Sequence, residues 1–259
     1  MAARTKTGAL RALALSMSMG LLLAGCAGSP QAVELPEGHA PLSTAPSAPS
    51  SAAPSSAAAE LDVSELSVAS GISMAARLGF DQARVISGTE LADLKKSPEE
   101  NRGSVAVLPT QCGDVIESLN WSPLQMGGEG ARTDFLTEKI AATGSVEVAE
   151  ITDKAALEAH YATVLAMLTE CKSVTMHQET ETVPFKTSKP QLKAGAADSA
   201  IAWTRGTPGQ GMRQQALVLI KSKGDHVAMV SFIAADGLEA PEFSQMAAEI
   251  LNAALAQAG

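Results

Sequence analysis

Two runs, Arg213 to Lys221 (RQQALVLIK) and His226 to Ala234 (HVAMVSFIA), with Ser222-Lys223-Gly224-Asp225 between them, decide how this chain folds. Both are rich in side chains that suit a pleated, half-buried surface, and the intervening residues hold the glycine that a compact turn requires. The pattern predicts an antiparallel hairpin, and with it a sheet built from strands that are neighbours in sequence.

Downstream, Pro241 occupies a position that a first helical turn tolerates. Phe243, Met246, Ile250 and Ala254 then form one apolar stripe, which predicts a closing helix. Upstream, Ser173 to Phe185 and Ser199 to Arg205 set threonines and valines among polar groups, in the manner of half-exposed strands. Gly206, Gly209 and Gly211 fall within Arg205 to Met212. No strand-to-helix context surrounds them, so a loop between two strands accounts for them better than an anion cradle.

Earlier in the chain, Leu157, Tyr161, Val164, Leu165 and Leu168 recur at intervals of three and four behind Asp153, a good cap. The spacing predicts a helix that ends at Glu170-Cys171. Thr133 to Ile140 and Ser145 to Thr152 alternate in part, which predicts a second hairpin turning on Ala142-Thr143-Gly144. Asn120 to Gly130 carries Pro123, Gly127, Gly128 and Gly130 and reads as a loop. Ser104 to Leu108 reads as a strand ended by Pro109, and Cys112 to Leu119 as a short helix after Thr110. Val63 to Arg77 and Ser87 to Lys96 read as helix or irregular chain. The fold class is α+β, an antiparallel sheet flanked by helices, forming a single domain over residues 60–259 behind a disordered tether.

The tether, residues 26–59, is rich in Pro, Ser and Ala, with Pro30, Pro36, Pro41, Pro46, Pro49 and Pro54 spaced through it and no hydrophobic period. Such a segment cannot bury enough apolar surface to offset its ordering entropy. Before it, Arg4, Lys6 and Arg11 precede an apolar run from Ala12 to Leu23 that is broken only by Ser16, Ser18 and Gly20. This is the order of a cleavable export signal, and the run is too short to span a bilayer. Leu23-Ala24-Gly25-Cys26 resembles the bacterial lipoprotein lipobox. The resemblance implies loss of the signal peptide, residues 1–25, and a diacylglycerol thioether with palmitate-type acylation on Cys26. The protein is then extracytoplasmic and anchored to the cell membrane through lipid rather than embedded in it. Removing residues 1–25, which carry three bases and no acid, takes the net charge from -9 to about -12. An acidic surface is repelled by phosphate backbones, so nucleic acid is not expected as a partner.

With Cys26 committed to lipid, Cys112 and Cys171 remain, and an exported address is an oxidising one. The expectation is one disulfide between them. The alternatives are two free thiols or half a metal site, although neither cysteine has a second Cys or His at ligand spacing.

Over Gly88 to Ala258 the order is helix, short strand, Pro-x-x-Cys at Pro109 to Cys112, hairpin, long helix ending in Cys171, late antiparallel strands and final helix. This order resembles the PknH-like extracellular sensor domain, a family found on mycobacterial receptor kinases and on free actinobacterial lipoproteins. The resemblance implies a sheet flanked by helices and a cleft for a ligand, while the family's usual second disulfide has no counterpart here.

Chemistry is sparse. His39, His160, His177 and His226 lack metal-ligand spacing, no Gly-x-Ser-x-Gly elbow is present, and neither a cofactor nor an enzyme activity is expected. Trp121 and Trp203 are the only tryptophans and suit core filling. Trp121, beside Pro123 and a glycine-rich loop, is the candidate ligand-binding residue, its face lining a cleft for a lipid headgroup or glycan. Met126 and Met212 can adapt to an apolar ligand. The expected function is a surface lipoprotein with a non-enzymatic ligand-binding or sensor-like domain. The rival is an interaction or assembly partner of another cell-envelope protein, and a cell-wall-active hydrolase comes third.

Overall fold

The computed structural model describes residues 62–96, 105–118, 122–178, 181–207 and 210–258. The described elements run α1 (Val63–Arg77), β1 (Gln82–Ile86), α2 (Gly88–Leu94), β2 (Val105–Leu108), α3 (Gln111–Glu117), β3 (Glu129–Thr137) and β4 (Ile140–Glu150). They continue with α4 (Lys154–Thr169), β5 (Ser173–Gln178), β6 (Glu181–Ser188), β7 (Ser199–Thr207), β8 (Gln210–Lys223), β9 (His226–Ala234) and α5 (Pro241–Leu255). The strands form one sheet in the order β1-β3-β4-β9-β8-β7-β6-β5-β2, with every neighbouring pair antiparallel. The described chain is therefore the α+β arrangement expected. No described helix is long and apolar enough to cross a membrane.

The hairpin that anchors this order is tighter than expected. Lys223 pairs with His226, so Ser222 and Lys223 belong to β8 and only Gly224-Asp225 turn the chain. Gly224 has φ +61, the left-handed geometry that such two-residue loops demand. Ser173 to Phe185, read as one run, is two strands, β5 and β6, paired from Gln178 and Glu181 inward. β1, to which no signal pointed, pairs with β3 at one edge.

The second hairpin turns elsewhere than predicted. Thr137 pairs with Ile140, which leaves Glu138-Lys139 as the turn, and Ala142-Thr143-Gly144 lie inside β4 opposite Ala234, Ile233 and Phe232 of β9. Gly144 is needed for space rather than for turning, because a Cβ there would come within 2.2 Å of Phe135 Cζ. Gly144→Ala should accordingly cost roughly 1–3 kcal/mol of overpacking and lower the melting temperature by several degrees. Phe135→Leu in the same chain should recover part of that loss. Thermal circular dichroism checks both, and an unchanged melting curve for the single variant would contradict the close approach.

Helices cover both faces of the sheet. On the first lie α1 and α5, over Val146, Val148, Leu217, Leu219, Val230 and Phe232. Four of the five phenylalanines meet here: Phe80, Phe135 and Phe232 have centroids 5.1 to 5.6 Å apart, and Phe243 joins Phe232 at 5.6 Å. Gly71 lets α1 approach closely, since a Cβ would stand 3.0 Å from Val146 and 3.3 Å from Ala254. Ser70 Oγ ties the helix to α5 by donating to the Ala253 carbonyl at 2.8 Å.

On the second face α3 and α4 cover Val174, Phe185, Ile201, Val218, Ile220, Val227 and Met229. Asp153 caps α4, its carboxylate accepting from the Ala155 and Ala156 amides. Of the predicted stripe, Leu157 and Val164 are buried together with His160 and Met167, Tyr161 and Leu168 pack half-buried against the same core, and Leu165 alone turns outward at 60% exposure. α4 carries apolar side chains around more of its circumference than one stripe, so spacing alone did not exclude Leu165. Cys112 of α3 and Cys171, just past α4, form a disulfide with Cα atoms 5.8 Å apart.

Candidate functional site

Beyond the reach of these helices, one end of the sheet carries an open groove of about 1210 Å³. Its walls come from the strands flanking the β3–β4 turn (Leu136, Thr137 and Ile140 to Thr143), the start of β6 (Glu181 to Pro184), the β7–β8 connection (Arg205, Gly206, Arg213, Gln214) and the end of β9 (Ile233 to Ala235). Strand alternation explains its character. Central strands buried on both faces are apolar throughout, and where the helices stop short the last side chains of those strands reach solvent. Leu136 and Ile233, 40% and 42% exposed, are such residues.

Two arginines face this apolar lining. Arg205 is exposed. Arg213 is held by Asp236 at 2.7 Å and more loosely by Glu239 at 4.0 Å, while its buried Nε makes no hydrogen bond among the described residues. The fully buried Gln215 fixes the same loop. Its Oε1 accepts from the Leu238 amide at 2.9 Å, and its Nε2 donates to Glu239 at 3.1 Å. The groove's basic wall is thus braced from behind.

A second polar centre lies deeper on the other-helix face. Glu147 of β4, fully buried, accepts from the Leu124 amide at 2.8 Å and pairs with Arg132 of β3 at 3.4 Å. Burial pushes its carboxyl above the ordinary glutamate value, against the opposing pull of the Leu124 amide, Arg132 and Ser122. The ion pairs continue outward from Arg132 to Asp134 at 2.9 Å, to Arg84 at 3.4 Å and to Glu90 at 2.8 Å. This ladder clamps the Pro123–Met126 turn, β3, β1 and α2 together. At the opposite end of the sheet Asp198 accepts from both the amide and the hydroxyl of Ser222 at 2.8 Å. Burial, and then the charge of Asp198, push the nearby Tyr161 phenol up to about 12. Both clusters hold elements together and neither opens on the groove.

Of the residues singled out in the sequence, Cys26 and Trp121 lie outside the described residues. So do the signal, the tether and His39. Cys112 and Cys171 are brought together as one bridge. His160 is buried in α4 against Tyr161, whereas His177 lies on β5 and His226 opens β9. No group of three His, Cys, Asp or Glu among the described residues is placed to hold a metal. Trp203 stacks on Phe185 at 5.4 Å in the second core, half-buried. Met126 packs against the same core. The groove residues carried no motif, and what marks them is where the covering helices end.

No protein-family model and no curated protein matches the chain. Among solved structures it is similar to the extracellular domain of PknH from Mycobacterium tuberculosis, at 12% identity and a TM-score of 0.37, over 66% of this chain and 97% of that one. It is also similar to an uncharacterized protein from Mycobacterium smegmatis, at 14% identity and a TM-score of 0.45, over 76% of this chain and 96% of that one.

Proposed function

We propose that the protein is a membrane-anchored surface lipoprotein whose single folded domain, following a tether over residues 26–59, binds a small ligand in the manner of a sensor and catalyses no reaction. The groove carries the binding reading: a large concavity with apolar walls and a few convergent polar groups is the common form of a ligand site. The match of Leu23 to Cys26 to the lipobox supports the anchor. The Cys112–Cys171 bond supports an oxidising compartment outside the cytoplasm. The order of elements and cysteines that resembles the PknH-like sensor family supports the sensor reading.

Native mass spectrometry of the protein extracted from its own membrane tests both halves. The expected mass lacks residues 1–25, includes acyl chains and carries a retained small molecule. Cys26→Ser should abolish the acyl mass and detergent-phase partitioning. An unprocessed mass overturns the anchor, and a co-purifying protein without any small ligand favours the envelope-assembly role instead.

A further inference from the structure

Resting on the reading of the groove as a ligand site, we propose that its occupant is an acyl anion, a single aliphatic chain ending in a carboxylate or phosphate. Three observations converge on this class. The first is aliphatic exposure. Leu136 and Ile233 are among the few large apolar side chains left open to water, and both line the groove along with Val183 and Pro184. The second is the lack of any aromatic residue among the described lining, where a sugar ring would stack on a flat face. The third is charge. In a chain of net charge -9, the lining holds two arginines against one carboxylate, Glu181; Asp236 and Glu239 neutralise Arg213 from behind, which leaves Arg205 as the cation without an ion pair among the described residues.

Arg205 has unspent capacity. Arg205 makes no ion pair among the described residues. Arg213 is oriented by Asp236 and Glu239 with its Nε buried, so it lends the wall polarity while Arg205 supplies the contact. Guanidinium groups offer planar, forked donors that match a carboxylate or phosphate, and such charge-assisted contacts are stronger than neutral ones. An aliphatic tail on Leu136 and Ile233 would remove from water the surface that the helices leave uncovered. A cationic amphiphile shares the tail contacts but is repelled at the head.

The test uses the full chain reconstituted in phosphatidylcholine nanodiscs and a diazirine-bearing dodecanoate, with cross-linked peptides mapped by mass spectrometry. Label is expected in the segments that carry Leu136, Thr137 and Ile140 to Thr143, Arg205 and Arg213, and Ile233 to Ala235. It should be competed by dodecanoate or dodecyl phosphate, whose relative potency identifies the head group, and not by dodecyltrimethylammonium. Arg205→Glu should reduce labelling about tenfold or more, the loss expected for a charge-assisted contact. Ile233→Asp should reduce it through the tail. Arg205 is exposed, so Arg205→Glu should keep the parent melting temperature, whereas Ile233 sits on a central strand and its Asp variant, expected to melt a few degrees lower, is labelled well below its own transition. Equal competition by the cation, or labelling indifferent to Arg205→Glu, overturns the acyl anion while leaving the groove a binding site. Absence of label from all three segments overturns the groove reading as well.

Discussion

Replacement of Glu147 by leucine is expected to lower the melting temperature by about 10 °C, the consequence of roughly 3–5 kcal/mol lost when one partner of a buried ion pair is removed. The carboxylate is the acceptor for the Leu124 amide and the counter-charge for Arg132, so its removal leaves a buried donor and a half-buried cation unpaired. Glu147→Gln is the informative companion. An amide oxygen can still accept from Leu124, so the loss should be smaller, and the variant should differ from the parent in its pH dependence. Burial raises the Glu147 carboxyl in the folded state, and the folded protein therefore binds this proton more tightly than the unfolded chain does. The resulting stability is present at low pH. It is lost as pH rises from the ordinary glutamate range through the raised folded value. The difference between parent and Gln variant in unfolding free energy should carry this downward slope. Parallel curves from pH 4 to 8 would contradict it.

Loss of the disulfide is the second large effect. In the chain-entropy account, a bridge between residues 59 apart stabilises by about 4 kcal/mol, so Cys112→Ala and Cys171→Ala should each lower the melting temperature by about 10 °C. The double variant should cost no more than either single one, because both remove the same bond. The structure gives a local reason for the size of the effect. α3 has only seven residues, too few to persist alone, and the bridge holds it against the end of α4. Alkylation of the exported protein without reductant is the direct check, and two modified thiols in the intact mass would falsify the assignment.

What could be read from the residues was what local pattern determines. The β8–β9 runs, the Asp153 cap, α5 and the cysteine pair all rest on interactions within a few residues or on counting, whereas the weaker period of Val63 to Arg77 left helix and irregular chain undecided. The misplaced β3–β4 turn shows the limit. Gly144 reads as a turn residue in one dimension, and only the position of Phe135 across the ladder shows that it makes room for a ring. Glu147 did leave a trace, a lone acid in Val146-Glu147-Val148, but its partners Leu124 and Arg132 come from separate segments. The groove was less legible still, since its exposed Leu136 and Ile233 differ from core residues only in lying past the end of the covering helices.

β1 and β2, the first two strands of the chain, form the two outer edges of the sheet, and α1 packs on α5. A polypeptide threaded amino end first through an export channel would therefore deliver its earliest elements before any of their partners. β1 must wait for β3, β2 for β5, and α1 for the final helix. Exposed Val85 and Leu108 lie on those waiting strands, where unpaired edges invite association with other chains. Rapid closure then depends on the central β8–β9 pairing, the most local contact in the sheet, forming as soon as it emerges. On such a route, arrival of α5 would be the step that seals the domain.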